Sequence, residues 1–138
     1  MKTIILFLFS ICSCGVFAQS DSTTFRTYLY NKEYKVYLRI NFYAQDIILP
    51  GQEMLGPLPG YLGKEHNSFC WPITSAEVKG KKAHLEMVND FGSEDLEATL
   101  TRKNDSIYIL KQGKGSTIKV PADNKWQKLP AVLEFKRK

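Results

Sequence analysis

Reactive side chains are scarce in this 138-residue chain, which has three cysteines and two histidines. Cys12 and Cys14 fall in an apolar N-terminal stretch, leaving Cys70 as the one thiol of the remainder. A single thiol closes no intramolecular disulfide, so that remainder must stand on packing alone. His66 and His84 are well separated, and neither a His-x-x-x-His nor a Cys-x-x-Cys spacing occurs to hold zinc. A Gly-x-Ser-x-Gly elbow and a phosphate-binding glycine loop are also missing. No stretch sustains helical periodicity, and no apolar run reaches the roughly twenty residues that a spanning helix requires. These absences exclude a disulfide-stapled scaffold, a locally encoded metal site and a helical bundle. They lower the case for an enzyme, although a site assembled from distant residues stays open.

The start of the chain carries an address. Met1 and Lys2 give a cationic beginning, an apolar run follows over residues 3–12, and Val16, Phe17 and Ala18 precede Gln19. A short apolar core followed by small residues at −3 and −1 of a cut site predicts a secretory signal over residues 1–18. A single domain over 19–138 then acts outside the cytoplasm, periplasmic or secreted. Ile11, Cys12, Ser13 and Cys14 resemble a bacterial lipobox, which would make the protein a lipoprotein anchored through Cys14. Cys12 stands where that motif usually has a small or aliphatic residue, and cleavage after Ala18 fits better.

At 43% hydrophobic and 24% charged, the composition is that of an ordinary globular domain. The formal charge of +5, one less without Lys2, allows acidic partners. There is no dense basic stripe with interleaved aromatics, which argues against nucleic acid. Lys136, Arg137 and Lys138 form a basic end that supports at most peripheral membrane contact.

The dominant pattern is alternation broken by turns, the mark of antiparallel strands. Phe25, Thr27 and Leu29 alternate with Arg26, Tyr28 and Tyr30. After a turn at Asn31, Lys32 and Glu33, residues 34–42 read as the cleanest strand: Tyr34, Val36, Leu38, Ile40 and Phe42 face a core, and Lys35, Tyr37, Arg39 and Asn41 face water. Residues 45–49, 73–79, 82–89, 96–101, 106–112 and 116–120 read as further strands, with a last one carrying Leu133 and Phe135 inward. Residues 121–128, with Trp126, read as a loop. Eight to ten strands with short connections predict an all-β, antiparallel up-and-down meander that forms a small barrel or flattened sandwich. In architecture this resembles lipocalin- and avidin-type folds, a likeness of strand number that implies no function.

Residues 50–67 are the largest irregular segment, with prolines at 50, 57 and 59 and glycines at 51, 56, 60 and 63. Loops this long in compact domains are commonly functional. Met54, Leu55, Leu58, Tyr61 and Leu62 either close the core as a flap, the better fit, or line a ligand pocket or meet a partner. Tyr28 and Tyr37 with Arg39 offer a second contact surface, because exposed tyrosine and arginine add interface area at little entropic cost; cross-strand pairing explains them equally well. Cys70, between Phe69 and Trp71, reads as a small buried hydrophobe. Residues 89–95 concentrate amide and carboxylate oxygens, but their spacing matches no calcium loop and hairpin chemistry accounts for them.

The residues call for no cofactor and no metal. The best fit is a non-enzymatic exported domain that recognises another protein, as an inhibitor or immunity-type protein of the cell envelope would. A barrel holding a small apolar ligand is the alternative, an enzyme comes third, and a structural element of the envelope fourth.

Overall fold

A computed structural model of the chain describes residues 22–138. The expected secretory signal over residues 1–18, with Cys12 and Cys14, lies outside the described residues. The strands are β1 (Arg26–Asn31), β2 (Val36–Asn41), β3 (Ile47–Ile48), β4 (Pro57–Leu58), β5 (Gly60–Lys64) and β6 (Cys70–Lys79), followed by β7 (Lys82–Val88), β8 (Asp95–Arg102), β9 (Ile107–Gly115), β10 (Lys119–Ala122), β11 (Lys125–Lys128) and β12 (Val132–Arg137). Eight of them close an antiparallel barrel in the order β1-β12-β9-β8-β7-β6-β5-β2, with β2 returning to β1. Each barrel strand pairs with its neighbours in sequence, so the fold is the expected meander. Two small hairpins are inserted into it: β3–β4 between β2 and β5, and β10–β11 between β9 and β12.

Alternation builds the interior. Val36, Leu38 and Ile40 of β2, Ala83, Leu85 and Met87 of β7, and Leu96, Ala98 and Leu100 of β8 are all buried in one cluster. Trp71, Tyr108, Phe25 and Phe135 are its largest fully buried members. Large side chains thus occupy the barrel's interior, each worth about 1.5–3 kcal/mol on burial. At one end, the Tyr108 hydroxyl donates to the Thr24 carbonyl at 2.5 Å and accepts from Arg137 Nη2 at 2.5 Å, and Phe25 stacks on Phe42.

The β10–β11 hairpin caps the other end. Ile118, Val120 and Leu129, at and beside the hairpin, are buried in the barrel core. The Trp71 indole N–H donates to the Lys119 carbonyl at 2.9 Å. Gln112 holds the hairpin's base, accepting from the Ile118 amide at 2.7 Å and donating to the Pro130 carbonyl at 3.0 Å.

Three local expectations need correction. The strand expected to begin at Tyr34 starts at Val36, because Lys35 adopts φ +55° and the Tyr34 amide closes the turn on Asn31 Oδ1 at 2.7 Å. Residues 121–128 are not a loop: Asp123 and Asn124, both at positive φ (51° and 65°), form the two-residue turn of a hairpin. Residues 50–67 are not irregular throughout, since Gly60–Lys64 is a barrel strand. Its backbone runs so close to β2 that a Cβ at Gly60 would lie 2.3 Å from the Arg39 carbonyl oxygen.

Trp71→Phe should destabilise the fold by about 2–3 kcal/mol, from one lost hydrogen bond plus a partial cavity. Hydrogen exchange should show the Ile118 and Leu129 amides losing protection before those of β7 and β8. Unchanged exchange at Leu129 would remove Trp71 as the anchor of the cap.

Candidate functional site

Outward-facing side chains of β1, β2 and β5 form a tyrosine ladder. Tyr28 and Tyr37 stack with ring centroids 5.3 Å apart, and Tyr37 meets Tyr61 edge-on at 5.9 Å. The Tyr37 ring covers Gly63, where a Cβ would lie 2.4 Å from Tyr37 Cζ. An aromatic ring laid over a strand glycine replaces the packing that the glycine lacks. Tyr28 and Tyr37 are thus tied into the sheet, while Arg39 beside them is exposed.

Over this face lies a second small core. Ile47, Leu49, Tyr61 and Cys70 are buried together, with Tyr37 and Leu58 packed against them. The β3–β4 segment is therefore a flap on the barrel's outer wall. Of the residues read from sequence as a possible contact set, Tyr61 and Leu58 form the flap's base and Leu62 lies inside the barrel. Burial, with the Asp90 charge adding to it, pushes the Cys70 thiol up to about 12. His66 and His84 are both exposed, and burial holds the Cys70 thiol protonated instead of activating it.

Met54 and Leu55 are the part of that set which projects. They sit on a single 3₁₀ turn, Glu53–Leu55, and Met54 is 99% exposed and Leu55 51%. The turn is held firmly: Leu55 N–H donates to the Gln52 carbonyl and Gly56 N–H to that of Glu53, both at 3.0 Å. The Glu53 carboxylate accepts from its own and the Gly51 amide, which holds it below the usual carboxylate range. Gln52 Nε2 donates to Asp90 Oδ1, joining the flap to the turn between β7 and β8.

That turn leads to the second feature, an aromatic cleft. The Asn89 side chain organises residues 89–94: Oδ1 accepts from the Ser93 amide at 2.9 Å and Nδ2 donates to Ser93 Oγ at 3.2 Å. The Asn89 amide oxygen is thus spent on the turn itself. Phe91 projects outward, 73% exposed. Trp126, on β11, is 54% exposed. Both approach Phe69, at 6.0 Å and 4.9 Å between centroids. The three rings, with Trp71, Asn89, Ser93, Glu94 and Lys119, line a cleft of about 240 Å³. Glu94 Oε2 and Lys119 Nζ face each other at 3.5 Å.

Comparison with protein-family models, curated proteins and solved structures finds no match.

A larger, shallow groove of about 630 Å³ crosses the outer face of β6–β9 and is lined by Glu77, His84, Glu86, Glu97 and Lys111 among others. It is the alternating charged face of a sheet, as water-facing strands require. Among the described residues, no group of three or more His, Cys, Asp and Glu side chains is placed to hold a metal ion. Sequence reasoning missed Phe91 and Trp126 as site residues. The available signal was a large aromatic in or beside a tight turn, outside the strand alternation that fills the core.

Gly63→Ala should destabilise by about 1–3 kcal/mol through overpacking against Tyr37. In a Tyr37→Ala background the same change should cost little, so urea melts of the four variants should show strong coupling. Additive effects would refute the ring-over-glycine account. Stability should also fall at alkaline pH. Burial raises Cys70 from 9.0 to about 12, and burial followed by the neighbouring Tyr61 raises Tyr37 from 10.0 to about 12. The unfolded chain ionises these groups first, so their contribution is complete below pH 9.0 and is lost as pH rises toward 12. Melting temperatures should decline over that interval, with Cys70→Val flattening its lower part and Tyr37→Phe its upper part.

Proposed function

We propose that this chain is an exported, non-enzymatic binding domain that recognises another protein through the flap turn bearing Met54 and Leu55. The observation that carries this reading is the exposure of Met54, 99%, on a turn fixed by its own hydrogen bonds and by Gln52. Methionine is enriched at protein interfaces and adapts its shape to a partner. A rigid turn offers that side chain without the ordering cost of a loose loop. Arg39 is exposed on β2, the strand that leads into the flap.

Two observations favour binding at the surface over the competing readings. The interior where an apolar ligand would sit is filled by Trp71, Tyr108, Phe25 and Phe135. Cys70, the one thiol among the described residues, is sealed under the flap, where burial holds it protonated. The leader pattern over residues 1–18 supports export, with an intact mass beginning at Gln19 as its check. An inhibitor or immunity-type role in the cell envelope is the form of recognition proposed.

The test is capture of proteins from envelope extract by the immobilised domain, compared with a Met54→Ser/Leu55→Ser variant. A partner held by the wild type should bind the variant at least ~10-fold more weakly, as for loss of interface anchors. Its melting temperature should stay unchanged because both side chains point to water. Equal capture by the two proteins would sink the reading.

A further inference from the structure

The aromatic cleft between Phe69, Phe91 and Trp126 goes beyond that reading and is independent of it. We infer that the cleft is a binding site for a single neutral sugar ring of a glycan.

Size comes first. A space of about 240 Å³ lies below the ~300–1,000 Å³ typical of pockets for drug-sized ligands, and suits one six-membered ring. The walls come next. Phe69 meets Trp126 at 69° and Phe91 at 53°, so the rings enclose a hollow instead of stacking on one another. The Trp71 indole N–H is engaged by Lys119, so the aromatic lining offers this donor to nothing else. Phe91 and Trp126 remain 73% and 54% exposed, leaving apolar surface for a ligand to cover.

Charge then selects among ligands. Glu94 and Lys119 stand together at the edge, 3.5 Å apart, and cancel. A cation over the rings would meet the Lys119 ammonium, which weakens the aromatic-cage reading. An anion would meet the Glu94 carboxylate. A wholly apolar ligand would strip water from both charges and return no hydrogen bond. A pyranose satisfies every wall: its C–H face lies against the electron-rich ring faces of Trp126 and Phe91. One hydroxyl donates to Glu94, another accepts from Lys119, and both bonds are charge-assisted. Ser93 Oγ, which accepts from Asn89 Nδ2, keeps its own proton to donate to a further hydroxyl.

The two tryptophans report separately, because Trp71 is buried and Trp126 exposed. The full exported domain is titrated with methyl glycosides of glucose, galactose, mannose and N-acetylglucosamine at millimolar concentrations. Emission is followed alongside saturation-transfer NMR on the sugar protons. At least one glycoside should give a saturable blue shift, with transfer strongest to protons of one C–H face. Phe91→Ala, Trp126→Ala and Glu94→Gln should each weaken binding at least ~10-fold, as seen by the NMR measurement, while the melting temperature holds. The Met54→Ser/Leu55→Ser variant should bind the glycoside as the wild type does, which separates this site from the protein-binding turn. Absence of saturable binding to every glycoside by both measurements would overturn the proposal. So would an equal response to tetramethylammonium, which would make the cleft a cation cage, or full retention of binding by Phe91→Ala.

Discussion

The Trp71 side chain joins the two halves of this structure's logic. Its ring system is among the largest side chains filling the barrel, and its N–H reaches the backbone of Lys119 in the hairpin that caps one end. A barrel interior packed with side chains needs a lid, because an open end would wet the outermost layer of its core. The lid in turn needs an anchor that a purely apolar contact would not give, since apolar contact alone is non-directional. The directed hydrogen bond from Trp71, together with those of Gln112 at the base, fixes the hairpin's position, and with it the position of Trp126 on the hairpin's far strand. The cleft's geometry is therefore set from inside the barrel.

The same economy shapes the outer wall. Tyr37 covers the bare backbone at Gly63, stacks on Tyr28 and forms part of the flap's base. A short second core under β3 and β4 frees the tip of the flap from any packing duty. The consequence is a division of labour within residues 50–67: Tyr61 and Leu62 hold structure, while Met54 and Leu55 hold none.

Much of the fold was legible because alternation is a strong signal when one face of a strand is buried and the other is wet. Val36, Leu38 and Ile40 announce β2, and Ala83, Leu85 and Met87 announce β7, in terms that any reader of the sequence can follow. Legibility failed where glycine and proline carry two meanings. Gly60 and Gly63 read as breakers, yet in β5 they allow the close approach that strand pairing with β2 and cover by Tyr37 demand. Asp123 and Asn124 read as loop residues, though their tolerance of positive φ is what a tight hairpin requires. The candidate sites were half legible. The flap drew attention by its length, but which of its apolar residues point outward depends on register, and the cleft depends on three segments far apart in the chain.

The seam of the barrel has an implication for how the molecule is made. β1 pairs with β12 at Leu29 with Arg137 and Tyr30 with Lys136, and the Lys138 amide donates to the Tyr28 carbonyl at 3.0 Å. The first strand's second neighbour is thus β12, the last strand among the described residues. Hairpins can form from segments adjacent in sequence, but the sheet cannot become a cylinder until β12 reaches β1. Until then it is an open, unsealed sheet with two bare margins, and the seam that closes it joins the barrel strands farthest apart in sequence.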